Sequence, residues 1–315
     1  MKISIVLPVF NPSLVYFEEL LISVFNQTFI NWELIVSDDS KESFDFIKLL
    51  SAYQDKRIKY FKNDSGQNGI FGNLNYAISK AEGELIQIFC QDDCMMPRFL
   101  EAQKEAFEIL PGIGMVFSKY LRIDENSKIL SDTNYKLLKN QLIKSGDHVN
   151  YFFAYGCLPG NLSPVMIKKE VLDKVGPFNI DYQYAGDFEY WIRIGNYFDL
   201  LQIREPNLMV RHHLNNASTQ LGFLTYFRDI KRIQSALFLN NSIAISTWYK
   251  SLYVNQYILR RYLSFIYSSR SVRSNLWEIF DHKPYKILYA VIVFLITLNG
   301  KIPLKIEEEK LKQHS

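Results

Sequence analysis

Five short apolar segments recur along the first 118 residues: Ile3–Val9, Glu33–Ser37, Arg57–Phe61, Leu85–Cys90 and Gly114–Ser118. Helical patterns separate most of them. Leu14, Phe17, Leu21, Val24 and Phe25 share one helical face, and Asn75, Ala77, Ile78 and Ala81 sit in a second helical stretch ahead of Gly83. Strands that alternate with helices predict a mainly parallel sheet in an α/β domain. Sheets of that kind bind ligands beyond the carboxyl ends of their strands. Two of the segments end in adjacent carboxylates, Asp38–Asp39 after "ELIVS" and Asp92–Asp93 after "LIQIFCQ". Both acidic pairs are therefore expected on the same rim.

The rest of the chain reads differently. From Tyr120 to about Tyr155 it is polar and loosely patterned. "SPVMIKKEVLDKVGPF" reads as strand, short helix and turn, and "AGDFEYWIRIGNYF" as a helix with Trp191, Ile194 and Phe198 on one face. "LLQIREPNLMVRHH" reads as two strands broken at Glu205–Pro206. Beyond Leu221 only long, aromatic-rich helical patterns follow.

Charge and cysteine content exclude several function classes. A net charge of +3 over 315 residues gives no global signal for nucleic acid. The charge is uneven, however: Phe223 to Lys305 holds twelve lysines and arginines against three acids. Three cysteines, Cys90, Cys94 and Cys157, make no disulfide framework and lack the further ligands of a zinc site. The N-terminal "MKISIVLPVFNP" has too short an apolar run for a signal peptide and reads as a first strand. Neither a dinucleotide-binding glycine fingerprint nor a P-loop occurs.

Adjacent carboxylates at a strand end suit a divalent cation held against a diphosphate. Mg²⁺ and Mn²⁺ take oxygen ligands, commonly with only one or two protein carboxylates. Taken alone, Asp92–Asp93 reads more readily as a polar turn and helix cap ahead of Pro97 than as a cation site.

The ordered set of motifs decides between these. "SIVLPVFN", "LISVFNQTFINWELIVSDDS", "NGIFGNLNYAISKAEGELIQIFCQDDCMMPRFL", "SPVMIKKEVLDKVGPF", "AGDFEYWIR" and "VRHHLNNAS" resemble, in order and spacing, the family 2 glycosyltransferases of the GT-A fold. The resemblance covers roughly residues 1–220. It implies a Rossmann-like, mainly parallel sheet with flanking helices over 1–221, split into a nucleotide-sugar half of about 1–96 and an acceptor half of about 97–221. A mostly helical region, 222–315, follows. By the same resemblance Pro8, Phe10 and Asn11 cup the nucleotide. Asp39, with Asp38 beside it, meets the base, and Asn75 faces the nucleotide. Leu74 stands where relatives often carry arginine. Asp93 is the expected metal ligand and Asp92 its ribose or metal partner, with Mn²⁺ or Mg²⁺ as the ion. Cys90 stands where relatives often have a further aspartate. Asp187 is the expected catalytic base, preceded by Gly186 where relatives often have glutamate, with Glu189 as the alternative. Arg211 reaches the diphosphate and His213, or its neighbour His212, the metal.

The resemblance further implies direct, inverting displacement of a nucleoside diphosphate by an acceptor hydroxyl. A nucleotide-diphosphate sugar is then the donor. A lipid-linked oligosaccharide of surface-polysaccharide synthesis, such as O-antigen or capsule, is the expected acceptor. A catalytically silent binding or scaffold protein of the same fold is the alternative, and intact Asp39, Asp93 and Asp187 oppose it. Ile287–Leu298 is a twelve-residue uncharged run, about 18 Å as a helix against a hydrocarbon core of roughly 30 Å. It is too short to span, so either it is buried against the catalytic domain or it sits on the membrane. With Lys283, Lys286 and the upstream arginines, it predicts peripheral attachment to the anionic inner face of a bacterial cell membrane, in the cytoplasm.

Overall fold

The computed structural model describes residues 1–41, 44–132, 140–213, 216 and 220–239. Two compact units divide the chain, Met1–Gln220 and Leu221–Ser315. In the first, one ten-stranded sheet has the order β3-β2-β1-β4-β9-β6-β10-β5, with β7 on β6 and β8 on β10.

The amino-terminal half follows the alternation in the sequence. Strands β1 (Ile3–Val9), β2 (Trp32–Asp38), β3 (Ile58–Lys62) and β4 (Leu85–Ile88) are all parallel, with Val9 opposite Asp38 and Val6 opposite Ile88. Between them run α1 (Leu14–Phe25), α2 (Phe44–Ala52) and α3 (Gly69–Ser79). Side chains of a strand alternate between faces. Ile3, Ile5, Leu7 and Val9 join Leu34, Val36, Leu85 and Phe89 in one buried layer with Phe17, Leu20, Leu21 and Val24 of α1. Helix α3 packs on β1 and β2.

The second half departs from that regularity. The turn after β4 leads into the two-residue β5 (Cys94–Met95) and α4 (Phe99–Ile109). Strand β6 (Ile113–Ile123) is followed by β7 (Ile129–Asp132), β8 (Gln141–Ile143), α5 (His148–Tyr155), β9 (Val165–Lys168) and α6 (Lys169–Val175). The loosely patterned stretch from Tyr120 to Tyr155 thus holds two strands and a helix. Helix α7 (Gly186–Gly195) buries Phe188, Trp191 and Ile194. The expected break at Glu205–Pro206 does not end the next strand. Strand β10 (Asp199–Arg211) runs through it, and its register against β6 shifts on both sides of Pro206. Proline lacks an N–H, so a shift in the ladder accommodates it.

Strand β10 is what carries the late basic residues to the rim. It runs parallel to β6, and its end pairs antiparallel with β5, Leu208 against Met95 and Met209 against Cys94. That pairing sets Arg211 beside Asp93.

At the opposite rim, Glu33 is buried beside β1. Lys2, Ser4, Lys59 and the Glu82 N–H all donate to or pair with its carboxylate. Burial alone would raise its pKa; these four donors outweigh it and hold the group down to about 2. In the second unit, α8 (Gly222–Leu239) is the described element. Among the described residues no helix is long and apolar enough to cross a membrane. The run Ile287–Leu298 lies outside them.

Candidate active site

The rim beyond β1, β2 and β4 is tied together by backbone-directed bonds. Asn11 adopts a left-handed φ of 44°, a region asparagine tolerates better than most residues, and its N–H donates to Ser40 Oγ at 2.7 Å. The Phe10 N–H donates to Gln91 Oε1 at 2.8 Å, and Gln91 Nε2 donates back to the Phe10 carbonyl at 3.1 Å. This clamp leaves the Phe10 side chain 57% exposed over the rim, with Pro8 half-buried beneath it. Gln91 had no distinguishing signal in the sequence.

The first acidic pair divides its labour. Asp38 is buried and accepts from the Ser40 N–H, Tyr60 OH and Lys62. Asp39 stays half-buried, accepting from the Gly69 N–H at 2.8 Å and Asn63 Nδ2 at 3.3 Å. Asp39 is therefore the carboxylate at the open side, beside Phe10 and Asn11.

The second pair does the same in the reverse order. Asp93 is 1% exposed. Its Oδ2 accepts from Ser163 Oγ at 2.5 Å and its Oδ1 from the Arg211 N–H at 2.9 Å. Burial first, and the Asp92 charge second, push its carboxyl well above the usual carboxylate range. Asp93, expected above as the metal ligand, is an interior residue whose two oxygens accept from protein donors. Asp92 takes the outward position, 17% exposed at its side chain. Its Oδ2 lies 2.9 Å from His213 Nε2 and 3.1 Å from Asn216 Nδ2. Of the two candidate histidines, His213 is the one that meets the carboxylate. His212 faces Arg122 at 3.1 Å, and partial burial with that guanidinium lowers its pKa.

Asn75, expected above to face the nucleotide, is bound to backbone. Its amide makes two reciprocal bonds with the Phe178 backbone, both 2.9 Å, joining α3 to the loop before α7. The asparagine of the rim is Asn73, which donates to the carbonyls of Val9 and Ser37. Arg211 is also interior, 1% exposed. Its guanidinium donates to the carbonyls of Asp92 and Asp124, to Ser127 Oγ and to Glu19.

Asp187 sits in the first turn of α7, where the helix dipole favours a negative charge. Its Oδ1 accepts from the Phe188 N–H at 2.7 Å. Gly186 before it is required by packing: a Cβ there would lie 2.6 Å from the Phe71 ring. Glu189 turns to Arg193 at 2.7 Å and lines a cavity with Gln67, Asn75 and Phe178. Burial, then Asp93, Asp92 and Asp187, raise the Cys90 thiol well above its ordinary range, and burial with Asp187 does the same to Cys157.

A divalent cation can be tested against these residues. Among the described residues no cluster of three or more histidine, cysteine or acidic side chains could hold a metal by itself. Asp92 and His213 offer one hard oxygen and one imidazole nitrogen 2.9 Å apart on the rim. Such a pair fits Mn²⁺ or Mg²⁺ where diphosphate and water complete the shell.

A mostly parallel sheet with flanking helices and an acidic rim at its strand ends is the GT-A architecture. The chain belongs to glycosyl transferase family 2, whose model matches residues 4–168. An uncharacterized glycosyltransferase of Methanocaldococcus jannaschii is 28% identical over 82% of this chain and 88% of its own length. The O-antigen biosynthesis glycosyltransferase WbnJ of Escherichia coli is 29% identical over 65% of this chain and 77% of its own. The Escherichia coli UDP-Glc:alpha-D-GlcNAc-diphosphoundecaprenol beta-1,3-glucosyltransferase WfgD is 26% identical over 77% and 88%. The crystal structure of S. aureus TarS 1-349 with UDP shares the fold, with a TM-score of 0.63 over 93% of this chain and 89% of that one at 16% identity.

Proposed function

We propose that this chain transfers a sugar, with inversion, from a nucleoside-diphosphate sugar to a hydroxyl of a lipid-linked glycan in surface-polysaccharide synthesis. The observation that carries the reading is the Asp92–His213 pair, 2.9 Å apart beyond the carboxyl ends of the parallel strands in a chain of glycosyl transferase family 2. Residues 1–221 do the binding and the chemistry. Phe10, Asn11 and Asp39 receive the nucleoside end of the donor. Asp92 and His213 would hold a divalent cation with the diphosphate, and that ion would supply Lewis-acid neutralisation of the departing charge. Asp187 takes the proton from the acceptor hydroxyl, from the first turn of α7, where the helix dipole favours a negative charge. The lipid-linked acceptor follows the relatives WfgD and the Campylobacter jejuni GalNAc(5)-diNAcBac-PP-undecaprenol beta-1,3-glucosyltransferase, 38% identical over 29% of this chain. The basic region 222–315 keeps the enzyme at the anionic inner face of the membrane.

Asp187→Asn tests the reading. Transfer should fall by about 10²–10⁴-fold, the worth of a general base. Protection against thermal unfolding by the donor, chosen from a panel of nucleotide sugars with Mn²⁺ present, should stay near wild type. A variant that retains most of its activity removes Asp187 from the role of base.

A further inference from the structure

Helix α1 touches the proposed cation pair from behind. Tyr16 and Glu19 lie one turn apart on it, so they face the same side. The Arg211 guanidinium lies 4.4 Å from the Tyr16 ring centroid, and the His213 ring lies 5.2 Å from it at a 41° tilt. Glu19 pairs with Arg211 and accepts from Ser127 Oγ at 2.8 Å, while Arg211 donates to the same hydroxyl at 2.9 Å. Arg211 Nε then holds the Asp92 carbonyl at 3.0 Å, and its backbone N–H holds Asp93. One buried guanidinium thus links a helix, the β6–β7 turn and the acidic tip.

We propose that Tyr16 and Glu19 are positioning residues that set the orientation of the Asp92–His213 pair through Arg211. The inference rests on the glycosyltransferase reading of that pair. The Tyr16 ring contacts both the Arg211 guanidinium and the His213 ring, so it can orient the two together. Glu19 fixes where the guanidinium points, and with it the backbone that carries Asp92. Groups one shell out from a metal commonly change its affinity by 10–100-fold when removed.

The full chain is examined by proton NMR of its imidazole Cε1–H signals, with His213 identified by its loss in His213→Ala. Mn²⁺ alone is the probe. In Glu19→Gln the His213 signal should move, and about tenfold more Mn²⁺ should be needed to broaden it. Tyr16→Leu should raise the Mn²⁺ requirement similarly. Glu18→Gln removes the same charge from an exposed neighbour and should leave both readouts in place. If Glu19→Gln does not fold, Glu19→Asp, which keeps the charge and withdraws it by one methylene, carries both readouts. A loss of thermal stability with an unmoved His213 signal and an unchanged Mn²⁺ requirement would overturn the positioning role. A signal that moves in Glu19→Gln, in a chain whose wild-type His213 ignores Mn²⁺, would support the brace and sink the cation pair instead.

Discussion

The two acidic pairs look alike as sequence and are opposites as structure. At the end of β2, the first carboxylate, Asp38, is interior and the second, Asp39, faces outward. Beyond β4, the second, Asp93, is interior and the first, Asp92, faces outward. The difference comes from how each strand ends. Strand β2 continues through Asp38, which keeps the phase of the sheet and points to Tyr60 and Lys62 on β3. Strand β4 stops at Ile88, and the chain turns, with the Asp93 N–H 3.4 Å from the Cys90 carbonyl. The turn resets the alternation. The interior acids also have different donors: Asp38 accepts from a lysine and a phenol, Asp93 from a hydroxyl and a backbone N–H. In each adjacent acid pair one member is interior and the other reaches the rim.

The comparison can be broken most directly at Asp92. Asp92→Asn should reduce Mn²⁺-dependent donor binding on the order of a hundredfold with little change in thermal stability, as read by calorimetry. If Asp93→Asn does this instead, the outward and inward roles are reversed and Asp93 returns as the ligand. Asp93→Ala should act on stability, since it strands the Ser163 hydroxyl and the Arg211 N–H, at about 3 kcal/mol by denaturant unfolding. Asp38→Ala should cost less, about 1–2 kcal/mol, because Lys62 is half-exposed and can return to water.

Glu33 sharpens the comparison as an acid far from the rim. Its folded pKa is depressed, so its contribution is complete above the ordinary carboxylate value of 4.5 and is lost as pH falls toward about 2. The full contribution is about 3 kcal/mol. Glu33→Gln should flatten the acid limb of a stability-versus-pH curve and leave donor binding at neutral pH unchanged. The smallest effect is expected at Asp39. Asp39→Ala should raise the donor KM about tenfold, the loss of roughly one hydrogen bond to a charged group, without lowering the thermal midpoint. A large loss of stability there would place Asp39 with the interior acids.

Much of this was legible beforehand. The alternation of apolar segments with helical faces specified β1 to β4, because a parallel pair requires a crossover between its strands. Carboxyl-end binding in such sheets then located both acid pairs on one rim. Asp187 at a helix start was visible for the same local reason. What escaped were side chains whose partners are remote. Gln91 meets Phe10 across 81 positions, Glu19 meets Arg211 across 192, and Asn75 meets Phe178 across 103. No local pattern marks such a residue as bound to backbone or to another side chain.

By itself, then, the chain determined where its acids would gather, since strand and helix periodicity act within a few residues. Only the tertiary structure decided which acid of each pair turns inward. That choice depends on donors delivered by distant strands: Lys62 from β3 for Asp38, and for Asp93 the Arg211 N–H, carried to the tip by the pairing of β10 with β5. A carboxylate leaves water only where such donors meet it, and their arrival is a property of the assembled sheet.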